Sequence, residues 1–304
     1  NIKVGSHGTA GVLSEIKHIS LSLASVTANV MVGVAYSQAT FAAAINIPQD
    51  RTVKANSVEI ETCYTTSANA DVTPSGGGVH TSLATIGVNL ALANAGSNGS
   101  ASLKGKGTLT AGSVKVNADG TATAHALTRT PTISVNIANI AANTVVAILS
   151  ATQEAFIEDV TIVANGGVEV ISTLNNGDGE GAVAELGGHF ASYGLDLSLY
   201  KVDVNTAVAK NEAKNHAYIK GAVIGSITNR AGPVSVIVDG RSYAKAKIHE
   251  TSSAGLLSVG LTTLYAYAKG NFQAYIDTTG GSIHAASIAV ENTYRSIAES
   301  ETTQ

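Results

Sequence analysis

Tryptophan is absent from this chain of 304 residues, and cysteine and methionine occur once each. A single cysteine, Cys63, excludes a disulfide framework and a cysteine-based metal site within the chain. Charge is scarce as well, at 13% of residues, and the net charge is −4. The basic residues are scattered singly, as at Lys104, Lys106 and Lys115, so no nucleic-acid partner is expected. Long apolar runs are also missing. No window reaches the roughly 18 consecutive apolar residues of a membrane-spanning helix, so no transmembrane segment is expected. The chain opens on Asn1 without a signal-peptide pattern, which reads as a mature product or an excised fragment.

What is present is repetition. Six β-like openings recur: Ile2-Val4, Val58-Ile60, Val114-Val116, Val168-Val170, Val234-Val236 and Ile288-Val290. Successive starts lie 56, 56, 54, 66 and 54 residues apart. The agreement runs past the openings. Val116 leads to Asp119, Gly120, Ala124 and Ala126, and Val236 leads at the same offsets to Asp239, Gly240, Ala244 and Ala246. A second landmark closes the units as Ala155-Phe156-Ile157, Ala217-Tyr218-Ile219 and Ala274-Tyr275-Ile276. Two landmarks in constant order mark internal repeats. The units start near residues 1, 57, 113, 167, 233 and 287, and the last is partial.

Between the landmarks the chain alternates with period two, as in Ile133, Val135 and Ile137 against Ser134 and Asn136. That is the pattern of a strand with one buried face. Helical patterning is poor, and 31 glycines punctuate the chain. The fold expected is all-β: a single continuous parallel β-helix, or β-solenoid, of repeats of about 55 residues. Each repeat would form roughly three coils of about 18 residues, or two wider ones. At about 4.8 Å per rung, some sixteen coils would make a rod about 75–80 Å long. A β-propeller fits less well, because its Gly-His and Trp-Asp signatures are missing. Ala124, Val135, Ile157 and Ala244 are expected inside. The fourth unit is longer, and Asn175-Asn176-Gly177-Asp178-Gly179-Glu180-Gly181 is read as a loop inserted into it, near 175–181.

The units, such as Val114-Lys115-Val116-Asn117-Ala118-Asp119-Gly120 followed by Thr121 to Ala126 and a closing Ala-x-Ile, resemble those of large bacterial filamentous adhesins. The likeness is to leukotoxin-type adhesins and, more distantly, to filamentous haemagglutinin. It covers nearly the whole chain in composition and period. It implies a secreted or surface-displayed solenoid. No secretion domain, anchor or receptor-binding head is matched, so no residue here takes a translocation or attachment role from it.

Chemistry is sparse. Polysaccharide-cleaving β-helices need carboxylates converging on one groove. With three coils per unit, residues one unit apart would be separated by about 14 Å. Asp119 and Asp239 would then be too distant to act as a pair, and each is read as an Asp-Gly turn. No catalytic residue and no cofactor are expected. Asp178 and Glu180 alternate with glycine as calcium ligands can, although a plain surface loop is the simpler reading. His18, His80 and His189 are read as turn or surface histidines. Phe156, Tyr218 and Tyr275 fall on the face opposite their flanking Ala and Ile. If that face is outward, they make a spaced row for contact with glycans or a neighbouring rod; packing beneath a loop is the alternative.

The function expected is a non-catalytic structural rod of an extracellular filament or cell-surface adhesin stalk. Its partners would be like subunits or adjoining solenoid segments end to end, with host or matrix glycans or proteins beyond them. A polysaccharide-cleaving or glycan-binding β-helix is the alternative. No capping helix is visible, so both ends are expected to be open.

Overall fold

The computed structural model of the chain describes residues 1–16, 19–23, 26–72, 79–129, 133–177, 181–187, 196–249 and 253–303. The first coil contains β1 (Ile2–Glu15), β2 (Ile19–Leu23) and β3 (Val26–Asn46). The second has β4 (Thr52–Val72) and β5 (Val79–Lys104), and the third β6 (Thr108–Thr128), β7 (Ile133–Leu149) and β8 (Thr152–Glu158). In the fourth lie β9 (Thr161–Ala164), β10 (Val168–Leu174), β11 (Ala182–Leu186), β12 (Asp196–Asn211) and β13 (Lys214–Lys220). The fifth holds β14 (Val223–Ile224), β15 (Ala231–His249), β16 (Ser253–Ala268) and β17 (Asn271–Asp277). A sixth opens with β18 (Ser282–Ile283) and β19 (Ala285–Thr303). No helix occurs among the described residues.

The strands form two curled sheets, one of ten strands and one of nine. Every described pairing is parallel except β2 with β3. This is an all-β parallel β-helix. The repeat and the coil coincide. Val58 lies beside Ile2 and Val114, Val168 beside Val114 and Val234, and Val234 beside Ile288. One unit is therefore one coil, not three, and the first sheet has six rungs rather than sixteen. At about 4.8 Å per rung the stack is only about 24 Å deep from first rung to last. Its width comes from the strands: β5 alone has 26 residues, about 85 Å of extended chain before curling. The molecule is a wide, shallow slab. Equivalent residues in neighbouring units are one rung apart, so the 14 Å spacing does not hold.

Each coil runs out along the first sheet and returns along the second, and the core lies between them. Near the turns that join each second-sheet strand to the next rung it is built of Val, Leu and Ile, including Val116, Leu103, Ile157 and Ile219. Further along it is built chiefly of alanine. Ala68, Ala124, Ala182 and Ala244 stack in one column and are each 0% exposed. Small side chains let the two sheets approach closely, and the rungs cannot part without losing ladder hydrogen bonds. Ala244→Phe is therefore expected to destabilise the fold by about 1–3 kcal/mol. An unchanged denaturation midpoint would place Ala244 on the wrong face. Ala124 and Ile157 are inside as expected; the Val135 side chain lies outside the described residues.

The fourth unit is longer because residues are added between strands. Leu174 pairs with Gly120, and Ala182 pairs with Ala124, so seven residues of the fourth unit stand where the third has three, and the register is kept on both sides. The Asp-Gly pairs are a correction to the turn assignment. Asp119-Gly120 and Asp239-Gly240 lie inside β6 and β15, where the glycines serve packing, not turning. The N-terminal end also differs from expectation. β2 folds back antiparallel on β3 over Val26–Val30 and covers that part of its free edge.

Candidate interaction surfaces

In a solenoid with one coil per repeat, every outward position becomes a column running along the axis. The column Lys3, Glu59, Lys115, Glu169 alternates in charge rung by rung. Lys3 lies 3.2 Å from Glu59 and 3.3 Å from Glu61. On the other sheet Lys104, Glu158, Lys220 and Asp277 alternate in the same way, with Lys220 and Glu158 3.6 Å apart. Exposed pairs of this kind add little stability each. Each column thus sets opposite charges on neighbouring rungs.

Phe156, Tyr218 and Tyr275 occupy one such column. Their rings do not form a spaced row. They stack in parallel, with centroids 4.9 Å apart for Phe156–Tyr218 and 5.1 Å for Tyr218–Tyr275. Ring faces are thus largely used by neighbouring rings. Burial raises the pKa of Tyr218, and the carboxylates of Glu154 and Glu158 add to the effect. Beside the ladder, Glu154 lies 3.7 Å from His216. The nearby His216 is the main reason that the Glu154 carboxyl pKa is lowered.

Asp119 and Asp239 also share a column, two rungs apart with Thr173 between them. Their separation along the axis is therefore about 10 Å, and distance alone does not exclude a joint role. Asp239 accepts a hydrogen bond of 2.9 Å from Asn176. The Asp119 pKa is raised by burial and by the nearby Glu61 carboxylate. Both aspartates sit on a sheet surface, and no group of three metal-ligating side chains gathers among the described residues. Asp178, Glu180, His18 and His189 lie outside the described residues, as does the side chain of His80.

Two further surfaces stand out. The first is the C-terminal end rung, expected from the sequence to be open. Ile288 and Val290 continue core columns, yet they are 53% and 46% exposed, against 1% and 0% for Val234 and Val236 one rung earlier. The second lies on the outer face of the second sheet. In the first halves of β3, β5, β7, β12 and β16 the outer face is apolar, and in the middle three strands polar side chains point inward: Asn89 donates to Asn143 at 2.7 Å, Asn143 donates to Asn205 at 2.9 Å, and Lys201 pairs with Asp203 at 2.8 Å. Outward positions are apolar. Ile86, Ile140, Val202 and Val259 form one exposed column, and Val88, Ala142, Val204 and Leu261 form the next. The signal was present as period-two alternation, but the sequence alone did not say which face was outside.

Among known proteins the chain matches no family model, no curated protein and no solved structure.

Proposed function

We propose that the chain is a non-catalytic structural segment of an extracellular filament or adhesin stalk, in which coil follows coil along one axis. The observation that carries this reading is the continuous parallel ladder, in which one repeat makes one coil and Val58, Val114, Val168 and Val234 stack rung on rung. In this chain Ile288 and Val290 extend core columns and are exposed, so a further rung can add to them. The second-sheet charge column supports the reading, because it ends on Asp277, beside which an added coil would place its own residue. The extracellular setting and the adhesin family rest on the likeness of the repeats.

The purified chain is expected to assemble as its concentration rises through the micromolar range, and Ile288→Lys with Val290→Lys should suppress that assembly. Sedimentation velocity checks both. An unaltered monomer throughout, in the parent and the variant alike, would sink the proposal. Turnover of a polysaccharide by the purified chain would favour the enzymatic alternative instead.

A further inference from the structure

We infer that the apolar outer face of the second sheet is an interface between two copies of this chain, packed face to face. It is a lateral contact, separate from the axial one proposed above. Its basis is the reversal of polarity. In all five strands the register is fixed by the alanine core further along, so the alternation cannot slip to hide these residues. Ile140 is 48% exposed and Val202 40% exposed, while Asn143 behind them is buried. The outward positions from Val26 to Val34, and those paired with them in the other four strands, carry no charged side chain. A face of this kind on a monomer marks an interaction site.

Its size and texture select the occupant. Five strands at about 4.8 Å, each contributing roughly ten residues at about 3.3 Å, cover on the order of 800 Å². That is about what each partner contributes to a standard stable interface. The columns repeat at the rung spacing, so their ridges and grooves match another in-register sheet, and the nearest such sheet is the same face of a second copy. Two sheets joined in this way would pack about 10 Å apart with strands within about 30° of each other. An anionic bilayer is the poorer fit, because surfaces that bind it ring the patch with basic residues, whereas here Lys210 and Lys269 stand at one end of the strands and Lys210 is paired with Glu212.

In a two-fold arrangement Ile140, in the middle strand of the five, lies nearest the axis. Ile140→Cys in a Cys63→Ser background should form an intermolecular disulfide under mild oxidation at low micromolar concentration. Thr65→Cys, exposed on the opposite sheet, should not. Ile140→Lys with Val202→Lys should weaken dimerisation at least 100-fold in sedimentation, with the circular dichroism spectrum retained. Ile140→Thr with Val202→Thr keeps strand propensity and should weaken it less. The end variant, Ile288→Lys with Val290→Lys, should leave the face-to-face disulfide intact, so the lateral and axial contacts fail independently. Dimerisation indifferent to the face variants, or no Ile140→Cys cross-link, would overturn the inference. So would a monomer that binds phosphatidylglycerol vesicles through this face.

Discussion

Tyr64→Ala is expected to destabilise the fold by about 3–5 kcal/mol, and Gly120→Ala by about 1–3 kcal/mol. The two losses have one origin. Gly8, Tyr64, Gly120, Leu174, Gly240 and Tyr294 form one inward column in which small and large alternate. The Tyr64 ring leans over the following rung, where Gly120 makes room for it, and Gly8 in the preceding rung makes room for the Phe41 ring. Tyr64 is only 2% exposed and stacks on Phe41, with ring centroids 5.2 Å apart. A Cβ at Gly120 would come within 2.6 Å of its Cζ, and a Cβ at Gly99, on the facing sheet, would strike the same ring. Burial pushes the Tyr64 hydroxyl up to about 12, consistent with a ring held away from water. Denaturant titration of the single and double variants tests the cradle. Gly120→Ala combined with Tyr64→Leu should cost clearly less than the two changes separately, because the smaller side chain leaves space for the added methyl. Strict additivity would show that the ring and the glycine are not in contact.

That column also explains what the sequence made hard to read. Period-two alternation, the repeat length and the buried positions Ala124, Ile157 and Ala244 were legible, because a buried strand face writes itself as every second residue. The number of coils was not. Strands are commonly about five or six residues long, so a repeat of about 55 residues suggested several coils. Here single strands reach 26 residues, and one repeat fills one rung. The glycines added to the error. Asp119-Gly120 has the composition of a turn, yet Gly120 is placed by the ring of Tyr64 in the adjacent rung, a contact between residues 56 positions apart. Phe156, Tyr218 and Tyr275 were correctly placed opposite Ala and Ile, but their mutual stacking depended on the coil count. The reversed polarity of Ile86, Ile140 and Val202 stayed hidden, since alternation fixes two faces without naming the outer one.

Asn175→Gly is expected to destabilise the fold by about 2–6 kcal/mol, through two backbone groups of another rung. In the fourth coil the Asn175 N–H still donates to the Gly120 carbonyl at 2.9 Å, and pairing with the third coil resumes at Gly181, whose carbonyl accepts from the Ala124 N–H at 2.9 Å. Between those points the third coil would face a gap. The Asn175 side chain fills it. Its Oδ1 accepts from the Ala122 N–H at 2.7 Å, and its Nδ2 donates to the Ala122 carbonyl at 3.0 Å. A side-chain amide thus imitates the missing peptide unit, and Asn175 itself is 0% exposed. Its φ of 52° lies in the left-handed region, which asparagine tolerates better than most residues. Glycine accepts that φ without strain, so the substitution isolates the two hydrogen bonds. Asn175→Asp would keep an acceptor for the N–H but would place carboxylate oxygen against the Ala122 carbonyl, and should be at least as damaging. Hydrogen exchange gives the local readout: a peptide spanning Thr121 to Ala126 should lose protection in Asn175→Gly before the rest of the sheet does. Wild-type stability together with wild-type protection at Ala122 would mean that water serves the gap as well as the asparagine does.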